Sequence, residues 1–220
     1  MEILSIRCGF ASDHSSTSYE FLAVDKPLDK KERSEVSRLS SRANPSARRV
    51  NFTYNVEGYD IPGGWEKLMA QYYDVMYREE YDWWTLAMAF DADDKQYKTI
   101  CAYEFDGVDD LGIRIERSDR RVIISIHCVV EPSQYWNNDY YDEDEDDEAE
   151  AVAVATGDHI LDTLTQVRQQ LISGDYRALY AVWEVYGISD CEDESEPPKP
   201  KDKKKGIEIV NAFKEMLTTT

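Results

Sequence analysis

Residues 112–130 read GIRIERSDRRVIISIHCVV. Two β-branched, apolar runs flank a cluster of turn-forming polar residues, the pattern of two strands joined by a hairpin over 112–116 and 121–130. A sheet therefore organises the fold, and the rest of the chain is read against it. Immediately upstream, DWWTLAMAF (82–90) reads as a buried strand closed by Asp91-Ala-Asp-Asp, and a short helix follows over 95–104. Before that, Trp65, Leu68, Met69, Tyr72, Val75 and Met76 recur at three- and four-residue steps, which predicts an amphipathic helix over about 64–79. RVNFTYNV (49–56) alternates apolar and polar residues as a half-buried strand does, and YEFLAV (19–24) makes another. Between them lies an exposed helix over about 29–42 with a thin apolar edge of Leu28, Val36 and Leu39. Ile3–Phe10 is predicted to be a short first strand.

Downstream of Glu131 the composition changes. Nine of the twelve residues from Asp139 to Glu150 are acidic, which predicts an acidic loop over 137–157. A helical hairpin follows over 158–188. Ile160, Leu161, Leu164, Val167 and Leu171 stripe its first helix, and Leu179, Val182, Trp183 and Tyr186 its second, with Asp175 as an N-cap between. Residues 189–206, ending in CEDESEPPKPKDKKKG, read as a disordered linker, and 207–220 as an amphipathic tail helix on a tether. The expected architecture is α+β: a mixed sheet of about five to six strands in residues 1–136, with helices packed on one face, plus the C-terminal hairpin and the tethered tail helix.

The formal net charge is −20, and removing residues 139–150 still leaves −11. Such a surface repels phosphate backbones, so direct nucleic-acid binding is disfavoured and partners with a basic surface are favoured. No run approaches 18 apolar residues, and the N-terminus lacks the features of a signal peptide; a cytoplasmic protein with reduced thiols is expected. The four cysteines, Cys8, Cys101, Cys128 and Cys191, show no CxxC spacing.

Each candidate chemical motif meets an obstacle. Counting a calcium loop from Asp142 gives oxygen donors at Asp142, Asp144 and Asp146, but Asp147 stands where Gly is required and Ala153 where Glu is required. Cys8, Asp13 and His14 supply residue types for nucleophilic catalysis without a known signature around them. His127 and Cys128 are adjacent in a strand and point to opposite faces, which argues against joint zinc ligation with Cys101 or His159. Gly63 and Gly64 precede a helix without a phosphate-loop pattern and serve the packing of Trp65. No cofactor is expected.

Three docking elements remain. The tail carries Ile209, Val210, Phe213, Met216 and Leu217 on one face, suited to an apolar groove. The acidic tract sets Asp142, Asp144 and Asp146 beside Tyr140 and Tyr141, able to grip Lys or Arg through charge and ring face. Residues 26–50 carry a net +5 in an acidic chain, with Arg42, Arg48 and Arg49 among the candidates for contact with an acidic partner.

SYEFLAVDKPLDKKERSEVSRLSSRA (18–43), NFTYNVEGYDIPGGWEKLMAQYYDVMY (51–77), DWWTLAMAF (82–90) and GDYRALYAVW (174–183) resemble, in word order, a group of uncharacterised bacterial proteins. The resemblance covers most of residues 1–188. It implies a bacterial context: some members are encoded beside SWIM zinc-finger proteins in loci of conflict or antiviral defence, and the group is associated with accessory genes of CRISPR loci. It brings no catalytic residues.

These readings lead to a non-enzymatic adaptor or accessory protein that binds a protein partner of its own locus. Two alternatives stand beside it. One is a metal-dependent hydrolase or nuclease using Asp91, Asp93 and Asp94; the other is an acidic mimic of nucleic acid that occupies a basic groove.

Overall fold

The computed structural model describes residues 17–54, 60–80, 83–129, 146–187 and 196–218. The strand expected at Ile3–Phe10, the Cys8, Asp13 and His14 cluster, and Tyr140, Tyr141, Asp142 and Asp144 lie outside the described residues.

Among the described residues seven strands form one sheet: β1 (Thr17–Leu22), β2 (Arg49–Tyr54), β3 (Val75–Glu80), β4 (Trp83–Asp91), β5 (Phe105–Asp106), β6 (Gly112–Ser118) and β7 (Arg121–Val129), in the order β2-β1-β3-β4-β7-β6-β5. Every neighbouring pair is antiparallel, so the sheet is not mixed. The hairpin at 112–130 is present. Its turn places Asp119 at φ 56°, a conformation Asp tolerates better than most residues. Among the described residues six α-helices accompany the sheet: α1 (Lys30–Ser37), α2 (Trp65–Gln71), α3 (Asp94–Cys101), α4 (Asp146–Ile172), α5 (Arg177–Tyr186) and α6 (Ile207–Thr218).

Helices cover both faces, not one. On one face Val75, Tyr77, Trp84, Leu86, Met88, Phe90, Ile124 and Ile126 pack with the apolar stripes of α4, α5 and α6. On the other, Phe21, Val50, Met76, Ala87, Ala89 and Ile123 pack with Val36 of α1 and with Leu68 and Met69 of α2. The physical cause is in β4. WWTLAMAF has no polar face to show to water, so both sides need a cover, and its alternation of large residues with Ala sets how close each cover comes.

The helix predicted over 64–79 ends at Gln71, and Val75–Glu80 is a strand. Val75, Met76 and Tyr77 are all fully buried because β3 lies between β1 and β4 with both faces covered. Consecutive apolar residues of such a strand prolong a helical spacing by coincidence. The entry to α2 is a turn with Gly63 and Gly64 at φ 88° and 82°, where a side chain would be strained. Downstream, α4 begins at Asp146, ahead of the 158 suggested by the stripe. Acidic residues complement the positive end of the helix dipole, and the Ala-rich 149–155 favours helix. Tyr176, not Asp175, is the N-cap of α5 and makes no side-chain cap.

The C-terminal segment is built into the domain. Residues 196–206 contain neither helix nor strand, yet they are held at several points rather than left as a free linker. Tyr180 donates to Glu196, and Tyr103 to the Pro198 carbonyl at 2.8 Å. The buried Arg177 guanidinium grips both Asp175 oxygens and donates to the Lys203 and Lys205 carbonyls. Gln170 reaches the Gly206 carbonyl at 2.8 Å, and Gly206 itself sits at φ 75°. α6 then lays Phe213, Met216 and Leu217 against α4 and α5, and its Val210 is buried as well.

Candidate protein-binding surface

Antiparallel register aligns side chains into rows across the sheet. One row on the α1/α2 face runs Tyr19, Arg78, Thr85, His127. The neighbouring row toward the covered end runs Phe21, Met76, Ala87, Ser125, Arg114, and the row toward the sheet end runs Thr17, Glu80, Trp83, Val129. The face thus changes character along the strands: apolar beneath α1 and α2, then polar and aromatic.

Within the polar half, Tyr19 donates to Asp60 at 2.6 Å, and the Arg78 guanidinium lies over the Tyr19 ring at 5.6 Å while pairing with Glu80. Thr85 Oγ1 is 3.4 Å from His127 Nδ1. Burial lowers the affinity of His127 for a proton, and the flanking Arg114 and Arg78 charges lower it further. Arg114 is half exposed and reaches toward Asp106 at 3.4 Å. Trp83, 46% exposed, stands at the rim between Glu80 and Val129. The Thr85–His127 contact is long for a hydrogen bond, and burial together with the two arginines disfavours the charged imidazole. The same residue types suit recognition: Trp and Arg are the side chains on which protein interfaces most often depend.

At the other end of the sheet lies a buried charge network. Asp74, 4% exposed, accepts from Arg121 at 2.8 Å and Arg168 at 3.3 Å, and from the backbone N–H groups of Val24 and Asp25 at 2.7 and 2.9 Å. Arg168, 2% exposed, also donates to the Ala89 carbonyl and forms a two-pronged pair with Asp25. Hydrogen bonding to Arg168 holds the Asp25 carboxyl below its ordinary range. A cleft of about 150 Å³ beside it is lined by Asp25, Lys26, Glu32, Tyr72, Asp74 and Arg121. This network ties α4 to β4, to the β1–α1 loop and to the start of β3, a structural lock whose charges satisfy one another.

The residues singled out from sequence fall as follows. Val210, Phe213, Met216 and Leu217 are buried on this chain's own helices, with Ile209 partly buried beside them, so the tail is not a free docking element; its apolar face completes the core. Asp146 opens α4. Arg42 is exposed, but Arg48 donates to the Ala23 and Val24 carbonyls at 2.8 Å, and Arg49 pairs with Asp158 and Glu20. Part of the basic segment is therefore already paired within the chain, although Arg48 stays exposed. Asp93 caps α3 by accepting from the Gln96 N–H at 2.7 Å, and Asp94 pairs with Arg117 at 2.9 Å. Asp91 lies opposite Arg121 in the β4–β7 register. Among the described residues no three His, Cys, Asp or Glu side chains group to hold a metal ion. Cys128 is fully buried on the face opposite His127, and burial raises its thiol's pKa.

Two sets of residues escaped the sequence reading although signals existed. Arg168 sits four residues after Leu164 and seven after Leu161, on the apolar stripe itself, and a cation at such a position calls for a buried carboxylate. Trp83 adjoins Trp84 in a strand, so one of the two indoles faces away from the α4–α6 layer.

No family model, curated protein or solved structure matches the chain. No helix among the described residues is long and apolar enough to cross a membrane.

Proposed function

We propose that this protein is a non-enzymatic bacterial adaptor, an accessory of its own locus, that engages a protein partner through the polar half of the sheet face. The observation that carries the proposal is Trp83: a large aromatic left 46% exposed on a rigid strand and set in the same face as Arg78, His127 and Arg114. A rigid strand holds the indole without the ordering cost that a loop would bring on binding. The partner that fits presents an apolar groove for Trp83 with carboxylates at its border for Arg114. The resemblance to proteins of defence loci is the ground for a role in antiviral defence.

The test compares proteins captured from the native host by the full chain and by Trp83→Ala and Arg114→Glu variants, each verified as folded by circular dichroism. A partner anchored by Trp83 should bind the alanine variant at least about 30-fold more weakly, corresponding to loss of a contact of roughly 2 kcal/mol. Arg114→Glu should weaken it in a salt-dependent way. Equal capture by all three proteins refutes the surface.

A further inference from the structure

The two edges of the sheet are finished differently. At one edge β5 is two residues long, and the chain beyond it folds back: the Gly107 N–H donates to the Leu111 carbonyl at 2.6 Å, and Gly107 lies directly against the Tyr186 carbonyl at the end of α5. At the other edge β2 runs six residues, and among the described residues its one neighbour is β1. The ladder fixes which way its backbone groups point. The Ala23 N–H donates to the Arg48 carbonyl at 2.7 Å, in line with the Leu22–Arg49 register. Alternate residues of an antiparallel strand bond to opposite sides. Arg48, Val50, Phe52 and Tyr54 therefore bond to β1, while Arg49, Asn51 and Thr53 turn their N–H and C=O away from the sheet. Arg49 is already used: its N–H donates to Ser46 Oγ, and its carbonyl accepts from the Ser46 N–H, both at 2.8 Å. Asn51 and Thr53 have no such partner among the described residues, and Asn51 is exposed. Edge strands are commonly guarded by charged residues or Pro, which discourage pairing. Residues 50–54, Val-Asn-Phe-Thr-Tyr, contain neither, in a chain of which 32% is charged.

We propose that β2 is a dimerisation edge, which pairs antiparallel with β2 of a second copy of this chain about a two-fold axis at Phe52. The free groups select both the occupant and the register. Centring the pair on Asn51 sets Arg49 against Thr53 of the second copy, and Arg49 is committed to Ser46. Centring it on Phe52 sets Asn51 against Thr53 of the second copy, and Thr53 against its Asn51. The four free groups of each copy are then all used, in four hydrogen bonds across the axis. The side chains match as well. On the α1/α2 face Val50 meets Tyr54 and Phe52 meets Phe52; on the α4 face Asn51 meets Thr53. Apolar and aromatic residues face their like, polar faces polar, and no two like charges are opposed. The edge is thus complementary to itself. A contact of this kind closes with two copies, and the finished β5 edge offers no second site for growth. The net charge of −20 opposes the approach of two copies, whereas the pairing itself contains no ionic contact, so salt should tighten the dimer by screening the repulsion. This inference does not rest on the Trp83 face.

The experiment is sedimentation velocity on the full chain from low micromolar to about 100 µM, in 50 mM and 500 mM NaCl. The expected result is a monomer–dimer equilibrium that stops at the dimer and is tighter at high salt. Thr53→Pro should keep the fold, because the Thr53 N–H is not used by β1 and Pro is tolerated where an edge N–H faces solvent. It should weaken the dimer about 30-fold or more, since two of the four hydrogen bonds are lost. Asn51→Lys should weaken it severalfold with an unchanged circular dichroism spectrum. Residue-resolved hydrogen exchange reads the register: the Asn51 and Thr53 amides should exchange rapidly at low concentration and become protected as the dimer forms, while Val50 and Phe52 are protected throughout. If Thr53→Pro fails to fold, Asn51→Lys and the exchange pattern decide. A chain monomeric at 100 µM in both salts overturns the proposal, including one that instead captures an extended peptide along β2. So does growth past the dimer, a dimer that salt weakens, or one that keeps its affinity in the folded edge variants.

Discussion

Replacing Phe213 by Ala tests whether α6 belongs to the core. Phe213 is 0% exposed, with Val210 and Met216 of the same helix at 7% and 2% and Leu217 at 4%. It is part of the same cluster as Leu161, Leu164, Leu179 and Val182. Removing the ring leaves a cavity walled by two helices that the sheet holds in place, so little collapse is possible. The cost is about 3–5 kcal/mol, the range for Phe→Ala in a packed interior. For a chain of this size each kcal/mol lowers the melting midpoint by roughly 2–4 °C, giving a fall of about 6–20 °C. The control lies on the same helix: Ile207 is 42% exposed, and its replacement by Ala should stay within about 0.5 kcal/mol of the parent. Scanning calorimetry and urea denaturation of the three proteins measure both effects. If Phe213→Ala melts where Ile207→Ala does, α6 is not packed on its own domain, and the tail is free for a partner after all.

The buried network makes a second prediction: Asp74→Ala leaves Arg168 and two backbone N–H groups short of their acceptor, and urea titration should show a loss of about 3–5 kcal/mol. Acid should weaken the fold in two stages. His127 is lowered from its ordinary 6.5, chiefly by burial, so its contribution is complete above that value and is lost as pH falls through the lower folded value. Asp25 and Asp175, held below 3.8 by hydrogen bonds from Arg168 and Arg177, contribute fully above 3.8 and lose that contribution as pH falls further, through their lower folded values. Melting midpoints recorded from pH 8 to pH 2 should fall first below pH 6.5 and again below pH 4; a His127→Gln variant that retains the first step refutes that assignment.

The hairpin at 112–130 was legible because its turn residues and β-branched runs are local signals, and the antiparallel register follows from its short connection. The strand at 83–91 was legible for the same reason. What its eight consecutive apolar and small residues imply for architecture, a cover on each face, required knowing where β1, β3 and β7 stand. The helix expected over 64–79 shows the limit of periodicity: Val75 and Met76 fit a helical spacing, yet pairing with β1 and β4 offers their backbone a full ladder and their side chains two cores.

The candidate surface was less legible than the fold. His127 and Cys128 could be assigned to opposite faces from strand geometry alone. That Arg78, Thr85 and His127 share one row, with Trp83 beside it, depends on the register of β3 and β4 with β7, a strand far downstream in sequence. Arg48 and Arg49 illustrate the converse: read as surface cations open to a partner, they are already engaged, because carbonyls and carboxylates of distant segments meet them.

The amino-acid sequence by itself determined the element types over most of the chain, the acidic character and the amphipathic stripe of the tail. These depend on neighbours within a few residues or on composition. Tertiary structure decided which apolar stripe meets which, and so turned a tethered tail into the last layer of the core. It also decided which charges are consumed in pairs and which remain at the surface. Those outcomes are set by long-range contacts, whose partners no local pattern specifies.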